Sequence, residues 1–457
     1  MRQIAKYDRI LKYRVTAELT QPLHVGSAGG NNEEILIHPV TGLPFLQATG
    51  IAGVLRSYMD RTGQDADGLF GESGNEDAKE CRIAVTDGRF TDPEKIRMEK
   101  RPHVKISRET GSVSSAKIKG TAKSAGQKFD MDYIGAGASF SFDLYIKSEG
   151  SREEEDNKAV LDMLSALNDH EIQFGGKRSE GCGQVKVSEV LFRQFAMTEE
   201  TGRAAWARED ALSTSEYKNE TASLSTCDNR DYILTLSGKT ENDILIKAIA
   251  VNEFGEGNAD AKNIRNAQKE YIIPGSSIKG AVRDRAEKIC AYLKDNGTDC
   301  GGLIARTFGE AADGAEEGIA GNAAFSDAVI GSVEEIDKIP LQHRIHVDKF
   351  TGGVFYKGLF AENNAAGSIK LVIHVHPGDF QQKSAAVLLL ALRDLAAGLY
   401  NLGSGYSVGK GFMAPEKLTL KTPDGVAEYS FENPNAGKNS EIFDRCVQSL
   451  KAERSAK

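Results

Sequence analysis

Ile273-Pro-Gly-Ser-Ser-Ile-Lys-Gly-Ala-Val-Arg283 lines up with Leu46-Gln-Ala-Thr-Gly-Ile-Ala-Gly-Val-Leu-Arg56, and this pairing decides the fold. Working outward, Thr307-Phe-Gly-Glu310 answers Leu69-Phe-Gly-Glu72, and Ala323-Ala-Phe-Ser-Asp327 answers Ile83-Ala-Val-Thr-Asp87. Further on, Ile345-His-Val-Asp-Lys-Phe-Thr-Gly352 answers Val104-Lys-Ile-Ser-Arg-Glu-Thr-Gly111. The series closes on two glycine-rich loops, Phe174-Gly-Gly-Lys-Arg-Ser-Glu-Gly-Cys-Gly183 and Leu402-Gly-Ser-Gly-Tyr-Ser-Val-Gly-Lys-Gly411. Matches in one order along both halves are the mark of a tandem duplication.

Length and composition agree with two domains. A chain of 457 residues is long for one hydrophobic core and comfortable for two domains of about 200 residues each. The formal net charge of −9 argues against capture of nucleic acid by the whole surface, while leaving room for a local basic groove. Cys81, Cys182, Cys227, Cys290, Cys300 and Cys446 form no paired motif at metal-ligand spacing, so reduced thiols and no structural zinc are expected. The amino terminus lacks the apolar stretch of a signal peptide. The most apolar run, Ala385 to Tyr400, is broken by Arg393 and Asp394, so it reads as a buried helix and not as a membrane span. A cytoplasmic protein is expected.

Each half shows the same element signals. Tyr13-Arg-Val-Thr-Ala-Glu-Leu19 and Tyr232-Ile-Leu-Thr-Leu-Ser237 mix apolar and polar residues in rough alternation, as half-buried strands do. Ile51, Val54, Leu55, Tyr58 and Met59 recur at helical spacing, as do Ile278, Ala281, Val282, Ala286 and Ile289. Strands, a second helix and, in the first copy, a closing strand at Gln184–Val187 follow. Strand, helix, strand, strand, helix, strand is the ferredoxin-like order. The expected fold is therefore α+β, with two tandem ferredoxin-like domains at 1–197 and 229–457. The polar stretch 198–228 between them, which holds the lone Trp206, reads as a linker with some helix.

The chemistry-bearing residues concentrate at helix starts, loops and inserts. Ser276 or Ser277 can cap the helix opening after Pro274, where free amides and the helix dipole favour an anion. Lys279 and Arg283 sit one turn apart on one face and suit a phosphate backbone; Arg56 repeats Arg283 in the first copy. The bland alternative is an ordinary capped helix with two solvated cations. The glycine loops, with Lys177, Arg178, Gly181 and Gly183 in the first and Gly409 and Gly411 in the second, let backbone amides approach a phosphodiester chain. Residues 100–128 carry eight cations, Arg108 among them, against the single acid Glu109, which suggests an arm laid along nucleic acid. Its counterpart, His343 to Gly367, interleaves Arg344, His346, Lys349 and Lys357 with Phe350, Phe355 and Tyr356. Those aromatics can stack on bases or pack the hairpin onto its own domain. Candidate catalytic carboxylates lie in the loop after the first strand of each copy: Asp260, and Glu33 or Glu34.

The order of His24-Val-Gly26, Ile273 to Arg283, Phe325-Ser-Asp-Ala328, Val347-Asp-Lys-Phe-Thr-Gly-Gly353 and the glycine loops resembles the RAMP superfamily of CRISPR-associated proteins. In particular it is similar to backbone subunits of type III (Csm/Cmr) effector complexes, and the fused pair looks like the arrangement of type III-D systems. The resemblance implies modified RNA-recognition folds stacked along a guide CRISPR RNA, each sending a β-hairpin thumb between guide and target. It implies partnership with complementary target RNA, other RAMP subunits and a polymerase-like large subunit, with no membrane association. In the nuclease members an acid after the first strand supports metal-dependent cleavage of target RNA, and the implied cofactor is Mg2+ or Mn2+. That role falls on Asp260, which is then also the metal-binding residue. In the first copy, counting back from Gln47 lands on Glu33 without a gap and on Asn32 with one. The alternative is a backbone subunit that only holds guide and target. A stand-alone nuclease processing the guide precursor is disfavoured, because neither copy has a histidine in the helix after its first strand.

Overall fold

The computed structural model describes residues 7–26, 34–72, 78–104, 115–117, 124–126, 128–209, 215–224, 230–248, 259–295, 300, 302–310, 318–331 and 341–451. The chain divides into two compact units. The first takes in Met1–Glu99, Asp132–Arg178 and Cys182–Asn229; the second takes in Lys100–Met131, Ser179–Gly181 and Arg230–Lys457.

In the first unit the central strands are β1 (Arg9–Leu19), β9 (Ser139–Ser148) and β10 (Val185–Ala196). Between β1 and β9 in chain order come β2 (Phe45–Leu46), β3 (Ile83–Val85), β4 (Gly88–Phe90), β5 (Met98–Val104), β6 (Ser115–Lys117), β7 (Ser124–Gly126) and β8 (Lys128–Ile134). A short β11 (Lys218–Asn219) edges the sheet, whose order is β11-β10-β1-β9-β4-β2 with β3 also on β9. All pairs in it are antiparallel, and β10 and β9 flank β1 on its two sides. Strand β9 shows why the sequence folds this way: Phe140, Phe142, Leu144 and Ile146 alternate with polar residues, and all four are buried. They join one core with Ile51, Leu55 and Tyr58 of α1 (Ala48–Thr62) and Val160, Met163, Leu164 and Leu167 of α3 (Glu153–Asn168). Glu153, Glu154, Glu155 and Asp156 fill the first turn of α3 and complement its dipole. Between these helices lies the one-turn α2 (Ala66–Phe70).

The stretch expected as a linker is built into this unit. Its helix α4 (Glu200–Ala207) sets Trp206 edge-on to Phe195 at 5.1 Å and to Tyr145 at 5.6 Å. Beyond it, Glu209 accepts from Lys12 at 2.9 Å, a lysine with only 2% of its side chain exposed. A buried ammonium needs such a partner, so the polarity that reads as linker supplies the first unit with counter-charge. The units also depart from contiguous domains, since the described residues among 100–131, with 179–181, group with the second unit.

The second unit repeats the plan. Its sheet runs β15 (Ala323–Phe325), β19 (Ser368–Val375), β12 (Tyr232–Thr240), β20 (Met413–Thr422), β21 (Gly425–Ser430). Taking the four repeated strands in chain order, each sheet places the fourth beside the first, then the third, then the second. Smaller pairings join β13 (Ala261–Lys262), β14 (Ile272–Ile273), β16 (Ala328–Val329), β17 (Gln342–Val347) and β18 (Val354–Asn363). Helix α5 (Gly275–Asp295) buries Ile278, Val282, Ala286 and Cys290 at four-residue spacing. Short α6 (Leu303–Phe308) follows, and α7 (Gln381–Ala396) is buried over most of its length, as its apolar run foretells. Helix α8 (Ser440–Gln448) packs on α7 through Ile442 and Cys446.

Asp231, 1% exposed, opens β12 between two histidines. Its oxygens lie 3.1 Å from Nδ1 of His376, and one lies 3.5 Å from Nδ1 of His374. Burial pushes this carboxyl up, but the charge of His376 and the hydrogen bonds of both histidines outweigh it and hold the group well below the usual carboxylate range. A carboxyl depressed on folding stabilises above its unfolded pKa, about 3.9, and that contribution fades as pH falls through the lower folded value. Asp231→Asn is therefore expected to lower stability by about 2 kcal/mol. In denaturant titrations the difference from the parent should hold down to about pH 4 and shrink below it.

Candidate nucleic-acid interface

The two glycine loops make the same backbone bonds. Phe174 N–H donates to Gly183 O and Leu402 N–H to Gly411 O, both at 2.9 Å. Gly183 N–H reaches Pro22 O and Gly411 N–H reaches Asp243 O, both at 2.8 Å. Gly176 N–H bonds His24 O at 2.8 Å, and Ser404 N–H bonds Leu245 O at 2.9 Å. A Cβ on Gly183 would stand 1.9 Å from Phe174 O, and one on Gly411 would stand 1.9 Å from Leu402 O. Both also sit at positive φ, 77° and 73°, where an L side chain is strained. These glycines therefore close the loop on the segment after the first strand, and the outward face of the loop is what remains for a ligand. Gly403, Ser404, Tyr406, Ser407 and Val408 are exposed there, as are Gly175, Gly176 and Arg178 in the first loop, with Lys177 half-buried and Gly409 bonded through its carbonyl to Asn242. Gly181 is buried, its Cα within the second unit against the backbone of Phe325 and Ser326.

The helix starts hold a carboxylate of the chain itself. Gly275 N–H donates to Asp327 Oδ1 and Ala48 N–H donates to Asp87 Oδ1, both at 2.8 Å. Asp327 Oδ2 meets Arg101 at 2.6 Å within the second unit. This corrects the expectation that Ser276 or Ser277 caps an anion site. Both serines are half-buried in the first turn, with Ser277 N–H turned onto Pro274 O, and the dipole is answered by an internal acid.

The arginines are likewise engaged. Arg283 donates to Gly309 O at 3.1 Å and Arg56 to Gly71 O at 2.8 Å. Arg283 also bonds Glu287, while Arg56 pairs with Asp67. Each arginine thus clamps the glycine of its Phe-Gly-Glu turn, which explains why both motifs occur together in both halves. Lys279 donates to Ser179 Oγ at 2.8 Å within the second unit.

The acid after the first strand sits beside the β17–β18 ribbon. Ala361 N–H of β18 donates to Oδ2 of exposed Asp260 at 2.6 Å. The residues that follow Asp260, Ala261 and Lys262, pair in parallel with Glu362 and Asn363. Away from this base the ribbon is exposed and apolar: Phe350 is 98% exposed and Tyr356 92%. Lys349, just before Phe350, is exposed in a turn that Asp348 holds by accepting from Phe350 N–H, Thr351 N–H and Thr351 Oγ1. Those hydrogen bonds, the Thr351 hydroxyl foremost, draw the Asp348 carboxyl below its ordinary value.

Shared bonds also align the first copy. Gly26 bridges Ile35 as Lys247 bridges Asn263, and Leu36 N–H bonds Val25 O as Ile264 N–H bonds Ile246 O. Three positions before Asn263 is Asp260; three before Ile35 is Asn32. Counting along the sequence from these shared bridges favours the gapped alignment, Asn32 for Asp260. Glu33 and Arg108 lie outside the described residues; Glu34 is exposed.

Among the described residues no group of three or more His, Cys, Asp or Glu side chains could hold a metal ion. Asp260 offers a single carboxylate, a donor set that fits a hard cation shared with phosphate oxygens and not an all-protein cage. Sequence reasoning missed Lys410 and Glu362, which form a buried ion pair close to Asp260 in the ladder. A lysine between two glycines, Gly409-Lys-Gly411, gives no hint of burial.

The RAMP superfamily model matches twice, over residues 16–186 and 238–414, once in each half of the chain. No curated protein matches the chain. Among the described residues no helix is long and apolar enough to cross a membrane.

Proposed function

The chain belongs to the RAMP superfamily, generally RNA-binding subunits of multi-subunit CRISPR complexes, and from that we propose that it is a tandem backbone subunit of a type III effector. In this reading it binds guide RNA along both ferredoxin-like copies and cleaves complementary target RNA at the second. The observation that carries the cleavage is Asp260: an exposed carboxylate tied to the base of a ribbon whose tip displays Phe350 and Tyr356. The β17–β18 ribbon acts as the thumb, and its aromatics wedge between stacked bases, opening the backbone beside the acid.

Asp260 takes the proton of a 2′-hydroxyl. The oxygen so freed attacks the adjacent phosphorus, the bond to the 5′-oxygen breaks, and water protonates the leaving oxygen. The products are a 2′,3′-cyclic phosphate and a 5′-hydroxyl. A divalent cation, Mg2+ or Mn2+, would be held by Asp260 together with RNA phosphate oxygens, supplying charge neutralisation at the scissile group. Ala361 N–H keeps the carboxylate oriented, and an ionised carboxylate is stabilised by such a bond.

The test uses the assembled complex with guide RNA and end-labelled target. Cleavage is expected only for complementary target, with a cyclic phosphate at the new 3′ end, and is expected to stop when EDTA removes divalent cations. Target that is bound tightly but never cut would favour the alternative, a backbone that only holds the two strands. Affinity for guide RNA should fall by at least tenfold between about 50 and 200 mM salt if phosphate contacts dominate.

A further inference from the structure

Lys410 ends the second glycine loop with only 2% of its side chain exposed. It pairs with Glu362 of β18 and lies 3.8 Å from Asp243 Oδ2. Arg344 Nε stands 3.0 Å from the same Glu362 oxygen. Asn364 ties the cluster together, donating to Asp243 and, at 2.9 Å, to Gln342 Oε1. The loop closes over the lysine stem: a Cβ on Gly405 would meet Lys410 Cβ and Cδ, each at 3.1 Å. One buried network therefore joins the glycine loop, the segment after β12 and both strands of the ribbon.

Its place relative to Asp260 is direct. Glu362 follows Ala361, the residue whose N–H holds Asp260, and pairs across the ladder with Ala261, the residue after Asp260. The first copy differs at these positions. Gly183 corresponds to Gly411 through their shared bonds, so Cys182 stands for Lys410. Leu23 bridges Ile134 as Ile244 bridges Ala365, so three positions back Met131 stands for Glu362. Cys182 is 3% exposed and Met131 5%. The copy with Asp260 keeps a buried ion pair, and the copy with Asn32 has apolar side chains in the same places.

A buried ion pair is a weak source of net stability, because desolvation offsets the attraction, but it fixes geometry, since either charge left alone is strongly unfavourable. We infer that Lys410 and Glu362 are positioning residues for Asp260: they pin β18 against the glycine loop so that Ala361 N–H presents the carboxylate to RNA. This rests on the catalytic reading of Asp260 above. Misplacement of a reacting group by about 1 Å lowers rates by about 100-fold, which sets the size of the expected effect.

The swap Lys410→Cys with Glu362→Met installs the first copy's solution. In the guide-loaded complex at saturating target, the single-turnover cleavage rate should fall about 10- to 100-fold. Guide affinity, target affinity and melting temperature should stay near those of the parent. Lys410→Met alone leaves Glu362 with Arg344 and should show the same separation if the double variant folds poorly. A parental rate in either folded variant overturns the inference, as does a rate loss that merely tracks lost affinity or stability. If the parent shows no cleavage that depends on Asp260, the reading of the acid falls and the inference with it.

Discussion

Replacing Asp260 with alanine is expected to lower cleavage of guide-paired target RNA at least 100-fold while leaving guide affinity within about twofold. The carboxylate is the only polar part of that side chain, and among the described residues its hydrogen bond is to one backbone N–H, that of Ala361. Losing a single bond at an exposed loop residue costs about 1 kcal/mol at most, so the ribbon and sheet should persist. The chemistry is affected far more, because proton removal from the 2′-hydroxyl then falls to water. Asp260→Asn sharpens the result. The amide oxygen can still accept from Ala361 but cannot take a proton, so position is kept and cleavage is still lost. The comparison is made by single-turnover kinetics beside a filter-binding titration of the guide. Cleavage by Asp260→Asn at the parental rate would remove the acid from the mechanism.

The second large effect is on stability. Gly411→Ala and Gly183→Ala are each expected to lower stability by at least about 3 kcal/mol, read by chemical denaturation. Two independent causes act at both sites. Positive φ alone costs an alanine about 1–2 kcal/mol. The added Cβ would also overlap a carbonyl oxygen at 1.9 Å, and that oxygen belongs to the residue whose N–H makes the loop's closing bond. Relief requires breaking the bond between the loop ends, Phe174 with Gly183 or Leu402 with Gly411. Gly280 in α5 is the internal control: nothing lies within 4 Å of its added Cβ. Gly280→Ala should therefore raise stability, by about 0.5–1 kcal/mol. A uniform response at the three positions would contradict the assignment of the loop glycines to close packing.

Much of the fold was legible because periodicity and duplication are physical signals in the chain. Alternation in Phe140–Ile146 marks a strand buried on one face, and both copies repeat the element order that the sheets show. The order of the pairings could be read only because the copies check each other. Register was harder. Whether Asn32 or Glu33 answers Asp260 depends on a gap that residue counting left open; counting from the bridges at Ile35 and Asn263 favours Asn32.

The site was less legible, for one recurrent reason. Residue type reveals charge but not where the charge is satisfied. Arg56 and Arg283 read as phosphate contacts, yet each is engaged by a carbonyl and a carboxylate of the chain. The serines after Pro274 read as caps, yet the cap comes from Asp327, 52 positions from Gly275 along the chain. Trp206 and Glu209 read as linker, yet Trp206 packs edge-on to Phe195 and Tyr145, and Glu209 pairs with Lys12. In each case the partner is distant in sequence, and propensity carries no information about it. Lys410 is the strongest example, an apparent loop lysine that is among the most buried side chains of the protein.

The copies are thus alike in their scaffold and unequal in their chemistry. Both close their glycine loops and cap their first helices with the same bonds, but Asp260 and its buried ion pair belong to the second copy. Mapping cut positions on a guide-paired target, with the parent, Asp260→Ala and Glu33→Gln/Glu34→Gln complexes side by side, tests this most directly. The expected result is one cut position per bound chain, lost in Asp260→Ala and unchanged in the Glu33/Glu34 variant. A second position that disappears when Glu33 and Glu34 are replaced, or a cut that survives Asp260→Ala, would contradict it.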